Sequence, residues 1–452
     1  MELRGPLSCR LVEVFPESLG GLAELLAHWG VACERLSCDA LARSAGEGDG
    51  ALPRVDLVLI DTAIHAGLQA ARRLVARRKE GGAPVVALCR KESSAAISQA
   101  LAVGFDDALA FPMDEVELRH RIVALGGLVR AERERRRRLA ILHRFANAEP
   151  RSFRFRRDRP EDRPALLLVG PASENQVRIA NASGKAHVAY AGGKSTAHRM
   201  LAERPFDLIV VTLPGATANP VMRLQDLAEA PLAGEVGLLL AGPVEAPDRI
   251  RAMLALGFAD IIQVPQPPEL IRIRLDFWLQ VQRLRRWLRD PPPGSVTLLA
   301  LDAMSSLFNQ GFLFDYIALL RAERRPTEPV MTVAFGLTGL AALHATLGHA
   351  AGNCLVAEVG RRLRALVRAE DLAACLGNGQ FVVVTDELDE RRALALAARI
   401  QTAISKLPII YQGRPLPLEL ESTAAPVRAQ DDPARALARA FRDLENRRPR
   451  VA

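Results

Sequence analysis

The sequence predicts an α/β protein built from three successive domains, the first two with parallel sheets. Three observations support this fold class. Short apolar runs of strand length alternate with amphipathic stretches from the N-terminus onward, as is typical of a parallel sheet covered by helices on both faces. The pattern of residues 1–128 returns at an offset of about 150 residues. A chain of 452 residues is long enough for roughly three domains.

Composition sets further bounds on the protein. No apolar run approaches the ~20 residues needed to span a bilayer, and the first ten residues contain no signal-like apolar stretch, so we expect a cytoplasmic protein without membrane insertion. The six cysteines form no CxxC pairs and have no histidines at zinc-binding spacing, so we expect reduced thiols and no metal site. They are Cys9, Cys33, Cys38, Cys89, Cys354 and Cys375.

Residues 1–128 contain the strand-length runs CRLVEVF, VDLVLID, PVVALC and DDALAF. Helical patterns such as LGGLAELLAHWG and DEVELRHRIVAL separate them. We expect a doubly wound, flavodoxin-like domain, in which ligands bind beyond the carboxyl ends of the strands. Asp61 ends the run VDLVLID and therefore lies at that edge.

This first segment resembles response-regulator receiver domains, and the resemblance makes Asp61 a possible phosphoacceptor. The rest of the implied phosphorylation site is incomplete. In this family, acidic residues after the first strand hold Mg²⁺, and Glu13 is the acid found there. Cys89 stands where the family has a threonine or serine, and Phe111 stands where it has a lysine. Without the lysine, a phosphoryl group has no fixed counter-charge nearby. The alternative is that Asp61 is a relic on a scaffold used for dimerisation or docking.

Residues 129–163 carry most of the chain's net charge. Between Leu128 and Arg163 there are 13 Arg against six acidic residues, a net of +7 out of a formal +8. The first half reads as a continuation of the last receiver helix with a narrow stripe of Leu139, Leu142 and Phe145, and the second half reads as a linker. We favour a solvated helix over contact with nucleic acid, anionic lipid or an acidic partner, because acidic residues interrupt the basic run.

Residues 164–289 repeat the first pattern, since FDLIVVTLP matches VDLVLIDTA and LALGFADIIQVPQPPEL matches LAVGFDDALAFPMDEVEL. We expect a second, degenerate receiver-like domain. Thr212 stands at the phosphoacceptor position, Gly170 follows the first strand, and Val264 stands at the lysine position. A domain that keeps the receiver fold but lacks the phosphorylation residues more often serves as an interaction surface.

The stretch RAEDLAACLGNGQF, followed by VVVT, reads as a polar turn, a tight glycine turn and a buried strand. Arg368 and Asp371 precede the glycine turn. A guanidinium fork can donate to the O6/N7 edge of a guanine, and a carboxylate can accept from its N1 and N2 hydrogens. The alternative is an ordinary surface Arg–Asp pair, which is common and weak.

The same stretch resembles GGDEF domains, the diguanylate cyclase fold, and the resemblance covers residues 290–452. Arg368 and Asp371 match the RxxD product-binding pair, and Arg399 matches the second arginine of that site. Glycines replace the two metal-binding carboxylates of the family, at positions 336 and 379. The implied degenerate active site comprises Gly336, His344, Asn353, Gly377, Asn378, Gly379 and Gln380.

The resemblance implies a domain that binds cyclic di-GMP and does not make it, since joining two GTP molecules needs two divalent metals. Arg321 or Arg324 is a further candidate contact. Two receiver domains before such an output domain is the arrangement of PleD-type cyclases. This arrangement suggests a homodimer through the receiver domains. With the hairpin degraded and the RxxD pair kept, the chain more closely resembles cyclic di-GMP effectors of cell-cycle control, and that resemblance implies protein partners such as an RcdA-like proteolytic adaptor and a CtrA-like cell-cycle regulator, and a cell-pole location. Two alternatives stay open, a GTP-binding regulatory pseudo-enzyme and a ligand-independent polar scaffold.

Overall fold

The computed structural model describes fourteen stretches of the chain: 7–13, 19–37, 55–62, 72, 75, 83–90, 99, 102–111, 113–145, 163–215, 236–244, 247–290, 299–385 and 389–446. The chain divides into two compact units. Unit 1 comprises Met1–Glu132 and Arg156–Leu284, and unit 2 comprises Arg133–Phe155 and Arg285–Ala452. The predicted linker in the second half of residues 129–163 lies outside the described residues, except for Arg163.

The first domain of unit 1 contains a five-stranded parallel sheet. Its described elements are β1 (Leu7–Glu13), α1 (Gly20–His28), β2 (Val31–Ser37), β3 (Leu57–Asp61), β4 (Val85–Arg90), β5 (Asp107–Phe111) and α2 (Glu115–Phe145). The strand order is β2-β1-β3-β4-β5, the order of flavodoxin-like folds. The predicted parallel sheet is therefore confirmed.

The second domain of unit 1 repeats this architecture. Its described elements are β6 (Ala165–Val169), α3 (Glu174–Ala182), β7 (His187–Ala191), α4 (Lys194–Glu203), β8 (Leu208–Thr212), β9 (Gly237–Gly242), α5 (Pro247–Ala255), β10 (Asp260–Gln263) and α6 (Pro268–Arg289). The strand order, β7-β6-β8-β9-β10, is the same. Asp56 accepts from the Ser8 amide, and Asp207 accepts from the Ala165 amide, at equivalent places in the two domains. The internal repeat is confirmed down to this hydrogen bond.

The two domains of unit 1 meet through buried charged groups. Arg121 of α2 donates to Asp107 at the start of β5 and to Asp260 at the start of β10. Trp278 of α6 donates to the same Asp260 carboxylate at 2.9 Å, and Arg274 lies 3.4 Å from it. Arg121, Asp107 and Asp260 are at most 3% exposed. The repeated domains therefore use their final strands and helices to pack against each other.

Unit 2 contains an antiparallel sheet with helices on both faces. Its elements after residue 290 are α7 (Gln310–Glu323), β11 (Val330–Leu337), α8 (Leu340–Leu347), α9 (His349–Leu366), β12 (Leu372–Gly377), β13 (Gln380–Thr385), α10 (Glu390–Ser405), β14 (Ile409–Tyr411), β15 (Arg414–Leu416), β16 (Leu420–Val427) and α11 (Pro433–Asn446). The main sheet has the order β12-β13-β11-β16, and β14 and β15 form a separate hairpin.

Both faces of this sheet are buried, which explains the continuous apolar run after the glycine turn. Val382 and Val384 of β13 face a core shared with α7 and α11, whereas Phe381 and Val383 face a core shared with α9 and α10. Successive side chains of a strand point to opposite faces, so a strand covered on both sides is apolar at every position. The predicted buried strand is confirmed.

The C-terminal part of α2, residues 133–145, belongs to unit 2 and is not a solvated helix. Ile141 and Leu142 are fully buried in the core beside α7. Glu134, Arg137 and Arg138 are buried as well. The interpretation of this segment as solvated is wrong for its buried face, because Arg137 pairs with Glu323 and Arg138 donates to main-chain carbonyls far away in the sequence. Among the described residues, no helix combines the length and the apolar character needed to cross a bilayer.

Candidate functional site

The RxxD segment forms a tight turn between α9 and β12. Helix α9 ends at Leu366, and β12 begins at Leu372. The Asp371 carboxylate accepts from the Arg368 amide at 3.3 Å, and the Asp371 amide donates to the Arg368 carbonyl at 3.2 Å. These two bonds fix the carboxylate beside the arginine backbone. The Arg368 side chain is exposed, whereas Asp371 is half-buried.

A small pocket of 30 Å³ opens beside this turn, within unit 2. Four arginines line it, Arg138, Arg289, Arg364 and Arg368, together with one carboxylate, Asp371. The charged lining is therefore strongly positive. Sequence reasoning identified two of these five residues and missed the other three, which come from α2, α6 and the last turn of α9.

Arg138 holds the RxxD turn in place. Its Nη2 donates to the main-chain carbonyls of Ala369 and Asp371, at 3.0 Å each. Its Nη1 donates to the carbonyl of Leu288 at the end of α6, and its Nε donates to Glu134 at 2.6 Å. One buried side chain of α2 thus joins the end of α6 to the turn that carries the predicted ligand pair. A run of arginines was the sequence signal available for it.

Burial raises the pKa of the Asp371 carboxyl group. The pKa of Asp371 rises from its ordinary 3.8 to about 6, because burial penalises the carboxylate more than the Arg368 charge and amide stabilise it. A carboxylate that accepts hydrogen bonds from a guanine must be ionised. The Asp371 carboxyl group is therefore mostly ionised only above about pH 6.

Arg399 does not line this pocket. It is exposed on α10. Among the described residues it makes no hydrogen bond or ion pair with Arg368 or Asp371. Arg321 and Arg324 also lie elsewhere, since Arg321 donates to the carbonyls of Asp431 and Ala429 and Arg324 donates to that of Pro329.

The glycine turn has the conformation that its sequence predicts. β12 and β13 are joined by Asn378 and Gly379, with φ of 51° and 72°, and Gly377 precedes them with φ of 87°. Two positive φ values are the signature of a type I′ hairpin turn. A Cβ at position 379 would lie 2.9 Å from the Cβ of Leu337, so an acidic side chain there would be strained.

The other predicted active-site positions lie on β11, β13, α8 and α9. Gly336 pairs with Gln380 across β11 and β13. The His344 ring lies where a Cβ on Gly352 would be, and its Nε2 is buried without a hydrogen-bond partner among the described residues. Asn353 follows on α9 and is half-buried. The described residues hold no cluster of His, Cys, Asp and Glu suited to a metal ion.

The receiver phosphorylation site is rearranged in the first domain. Asp61 is buried at the end of β3. Glu13 is engaged by Arg35, whose Nη2 lies 2.8 Å from it, and by the amide of Leu19. Cys89 lies 3.2 Å from the Thr62 hydroxyl. The acid expected to help hold Mg²⁺ is thus already in an ion pair.

In the second domain the corresponding site is closed. Thr212 is buried at the end of β8, and its hydroxyl donates to the Val169 carbonyl at 3.4 Å. A Cβ on Gly170 would lie 2.7 Å from the same hydroxyl oxygen. The first turn after β6 therefore packs directly onto Thr212.

Comparison with known proteins agrees with this architecture. Residues 299–448 match the family model for the diguanylate cyclase GGDEF domain. The chain is 24% identical to the response regulator PleD of Caulobacter vibrioides over 364 residues, which are 79% of each protein. It is 37% identical over 112 residues to MucR of Pseudomonas aeruginosa, a bifunctional diguanylate cyclase and cyclic di-GMP phosphodiesterase, which covers 25% of this chain and 16% of MucR.

Part of the chain is also similar to solved structures of GGDEF domains. The FimX GGDEF domain from Pseudomonas aeruginosa is 19% identical and matches with a TM-score of 0.30, covering 32% of this chain and 92% of that one. The GGDEF domain of DgcB from Caulobacter crescentus, solved in complex with c-di-GMP, is 14% identical with a TM-score of 0.30, covering 32% and 86%. The fold is thus two flavodoxin-like domains with parallel sheets, followed by a domain that matches the GGDEF family model, and the chain is similar to the response regulator PleD over most of its length.

Proposed function

We propose that the GGDEF domain binds cyclic di-GMP at its RxxD turn, does not synthesise it, and makes the protein a signalling adaptor. One observation carries the proposal. Arg368 and Asp371 line an arginine-rich pocket, beside a hairpin with glycine at the position of the family's metal-binding acid. A positive pocket with one carboxylate suits a ligand that combines guanine bases with phosphates.

The chemistry assigns a separate task to each residue of the pair. The Arg368 fork donates to the O6/N7 edge of a guanine, and the Asp371 carboxylate accepts from its N1 and N2 hydrogens. A pocket of 30 Å³ is far smaller than the ~300 Å³ or more of pockets that enclose drug-sized ligands. A cyclic dinucleotide therefore lies across the mouth of the pocket, with only part of it inserted.

Loss of the metal-binding acids underlies the proposed inactivity. Two divalent metals must gather the triphosphate charge and lower the pKa of the attacking hydroxyl. Gly336 and Gly379 supply no carboxylate for them. At position 379 the positive φ and the nearby Leu337 also oppose an acidic side chain.

The finer biological role rests on resemblance. A degraded hairpin beside a kept RxxD pair resembles PopA, a cyclic di-GMP effector of alphaproteobacterial cell-cycle control. By that resemblance the protein moves to a cell pole and recruits an RcdA-like adaptor, which helps deliver a CtrA-like regulator to the ClpXP protease. The proposal includes a homodimer through the receiver domains. The faces that carry Arg121 and Asp260 pack against each other within one chain, so the homodimer uses other surfaces.

Calorimetry of the full chain with cyclic di-GMP and with GTP tests the proposal. We expect micromolar or tighter binding of the dinucleotide, abolished by Arg368→Gly. Binding of GTP alone would favour the pseudo-enzyme, and absence of binding would favour the scaffold. Formation of cyclic di-GMP from GTP and Mg²⁺ would falsify the proposed inactivity. An Arg399→Gly variant decides whether this exposed arginine belongs to the site.

A further inference from the structure

The pocket beside the RxxD turn contains more positive charge than the turn itself needs. Arg138 is committed to main-chain carbonyls and to Glu134, so it positions the turn. Arg368 is assigned to a guanine under the proposed function. Arg364 lies one helical turn before Arg368 at the end of α9 and lines the same pocket. Its role is not explained by the guanine contact.

Arg364 is held by a weak partner. Its Nη1 lies 3.1 Å from Asp290, and the two side chains are 31% and 71% exposed. Exposed ion pairs of this kind contribute little, because water solvates both charges. A phosphate offers the same guanidinium a stronger acceptor that can be bound through two parallel hydrogen bonds. The pair can therefore open in favour of a phosphate.

We propose that Arg364 is a phosphate contact of the dinucleotide site and that Asp290 occupies it until the ligand displaces the carboxylate. This inference rests on the proposed function, and it adds a binding residue and a competing acid to the RxxD pair. The guanine is read by Arg368 and Asp371, and one phosphate of the same ligand pairs with Arg364. Because Asp290 directly follows α6, ligand binding releases an ion pair between the end of that helix and α9.

Isothermal titration of the full chain with cyclic di-GMP tests this inference. We expect Arg364→Gln to raise the Kd about tenfold, the loss typical of a charge-assisted hydrogen bond. Arg364→Lys keeps the charge without the fork and is expected to give an intermediate Kd. Asp290→Asn removes the competitor and is expected to lower the Kd by up to about threefold.

Arg361→Gln is the matched control, since Arg361 lies on the same helix, is 69% exposed and pairs with Glu358 outside the pocket. It removes the same charge and should change the Kd less than about twofold. If wild type binds and Arg368→Gly does not, an Arg364→Gln variant that matches this control overturns the inference and leaves the proposed function standing. Weaker binding by Asp290→Asn would contradict the displacement step. A wild-type protein that binds no dinucleotide overturns the proposed function itself.

Discussion

The Asp371 carboxyl titrates within two pH units of neutrality, and this gives the proposed ligand site a pH dependence. Its pKa of about 6 lies above the ordinary 3.8 because burial disfavours the charged form. The folded state therefore binds the proton more tightly than the unfolded state, so Asp371 stabilises the fold at low pH and loses that effect as pH rises through about 6. A guanine needs the ionised form, so binding follows the opposite trend.

We expect the affinity for cyclic di-GMP to be constant above about pH 7 and to fall about tenfold per unit below pH 6. Calorimetry between pH 5 and 8 measures this. Asp371→Asn is expected to bind weakly at every pH. The control is Glu390→Gln, which removes an exposed acid at the start of α10 that does not line the pocket and should retain the wild-type profile. An affinity independent of pH in this range would contradict a guanine contact through Asp371.

At the scale of single residues, the sequence predicted the conformation of the glycine turn but not the residues that line the pocket. The turn is local, since the order Gly377, Asn378, Gly379 and the apolar run after it determine a type I′ hairpin. The pocket is not local, because Arg138 lies 231 residues from Ala369 in the sequence. A run of arginines has the pattern of a solvated face, and only tertiary packing supplies the carbonyls and Glu134 that allow burial.

Among the elements, α2 has the widest structural role. Its residues up to Glu132 belong to unit 1, and its residues from Arg133 belong to unit 2. In unit 2, Glu134 pairs with Arg138 at 2.6 Å and accepts from the Tyr316 hydroxyl at 2.6 Å. Burial and the neighbouring carboxylate raise the pKa of Tyr316 well above its ordinary range, so it remains a neutral donor.

We expect Glu134→Gln to lower the free energy of unfolding of unit 2 by about 3–5 kcal/mol, because it leaves the buried Arg138 charge uncompensated. Chemical denaturation followed by hydrogen exchange in α7 and β13 measures it. Glu323→Gln is the control, since Glu323 pairs with Arg137 but is 40% exposed, and the expected loss is at most about 1 kcal/mol. Equal losses in the two variants would mean that the buried Glu134–Arg138 pair stabilises unit 2 no more than the partly exposed pair does.

Sequence patterns predicted the type of most elements and the repeat of the first two domains, since apolar periodicity reflects which face is buried. They did not predict which residues of α2 belong to unit 1 and which belong to unit 2. Periodicity shows that a helix continues but not which domain covers it, and the stripe of Leu139, Leu142 and Phe145 is narrow. Ile141, outside that predicted stripe, is fully buried.

At the scale of the whole molecule, the receiver pair of unit 1 is joined by a charge cluster with internal symmetry. Asp107 and Asp260 begin the last strands of the two domains, and Arg121 and Arg274 lie on the helices that follow. Burial alone would raise the pKa of Asp260. The charges of Arg121 and Arg274 and the hydrogen bond from Trp278 outweigh burial and lower this pKa to about 2. The stabilisation is therefore fully present above the ordinary 3.8 and is lost as pH falls toward 2.

Arg121 is the member of this cluster that touches both domains, so its removal tests how the receivers are held together. We expect Arg121→Met to destabilise unit 1 by about 3–5 kcal/mol, because two buried carboxylates lose their nearest counter-charge. Arg272→Met, on the same helix as Arg274, is the control. Arg272 is 64% exposed and pairs 3.6 Å from an equally exposed Asp276, so the expected change is within about 1 kcal/mol. Hydrogen exchange resolved by mass spectrometry should show faster exchange in β5 and β10 and unchanged exchange in β13. If the two variants unfold alike, the receivers are held by apolar packing, and their charged contact is incidental.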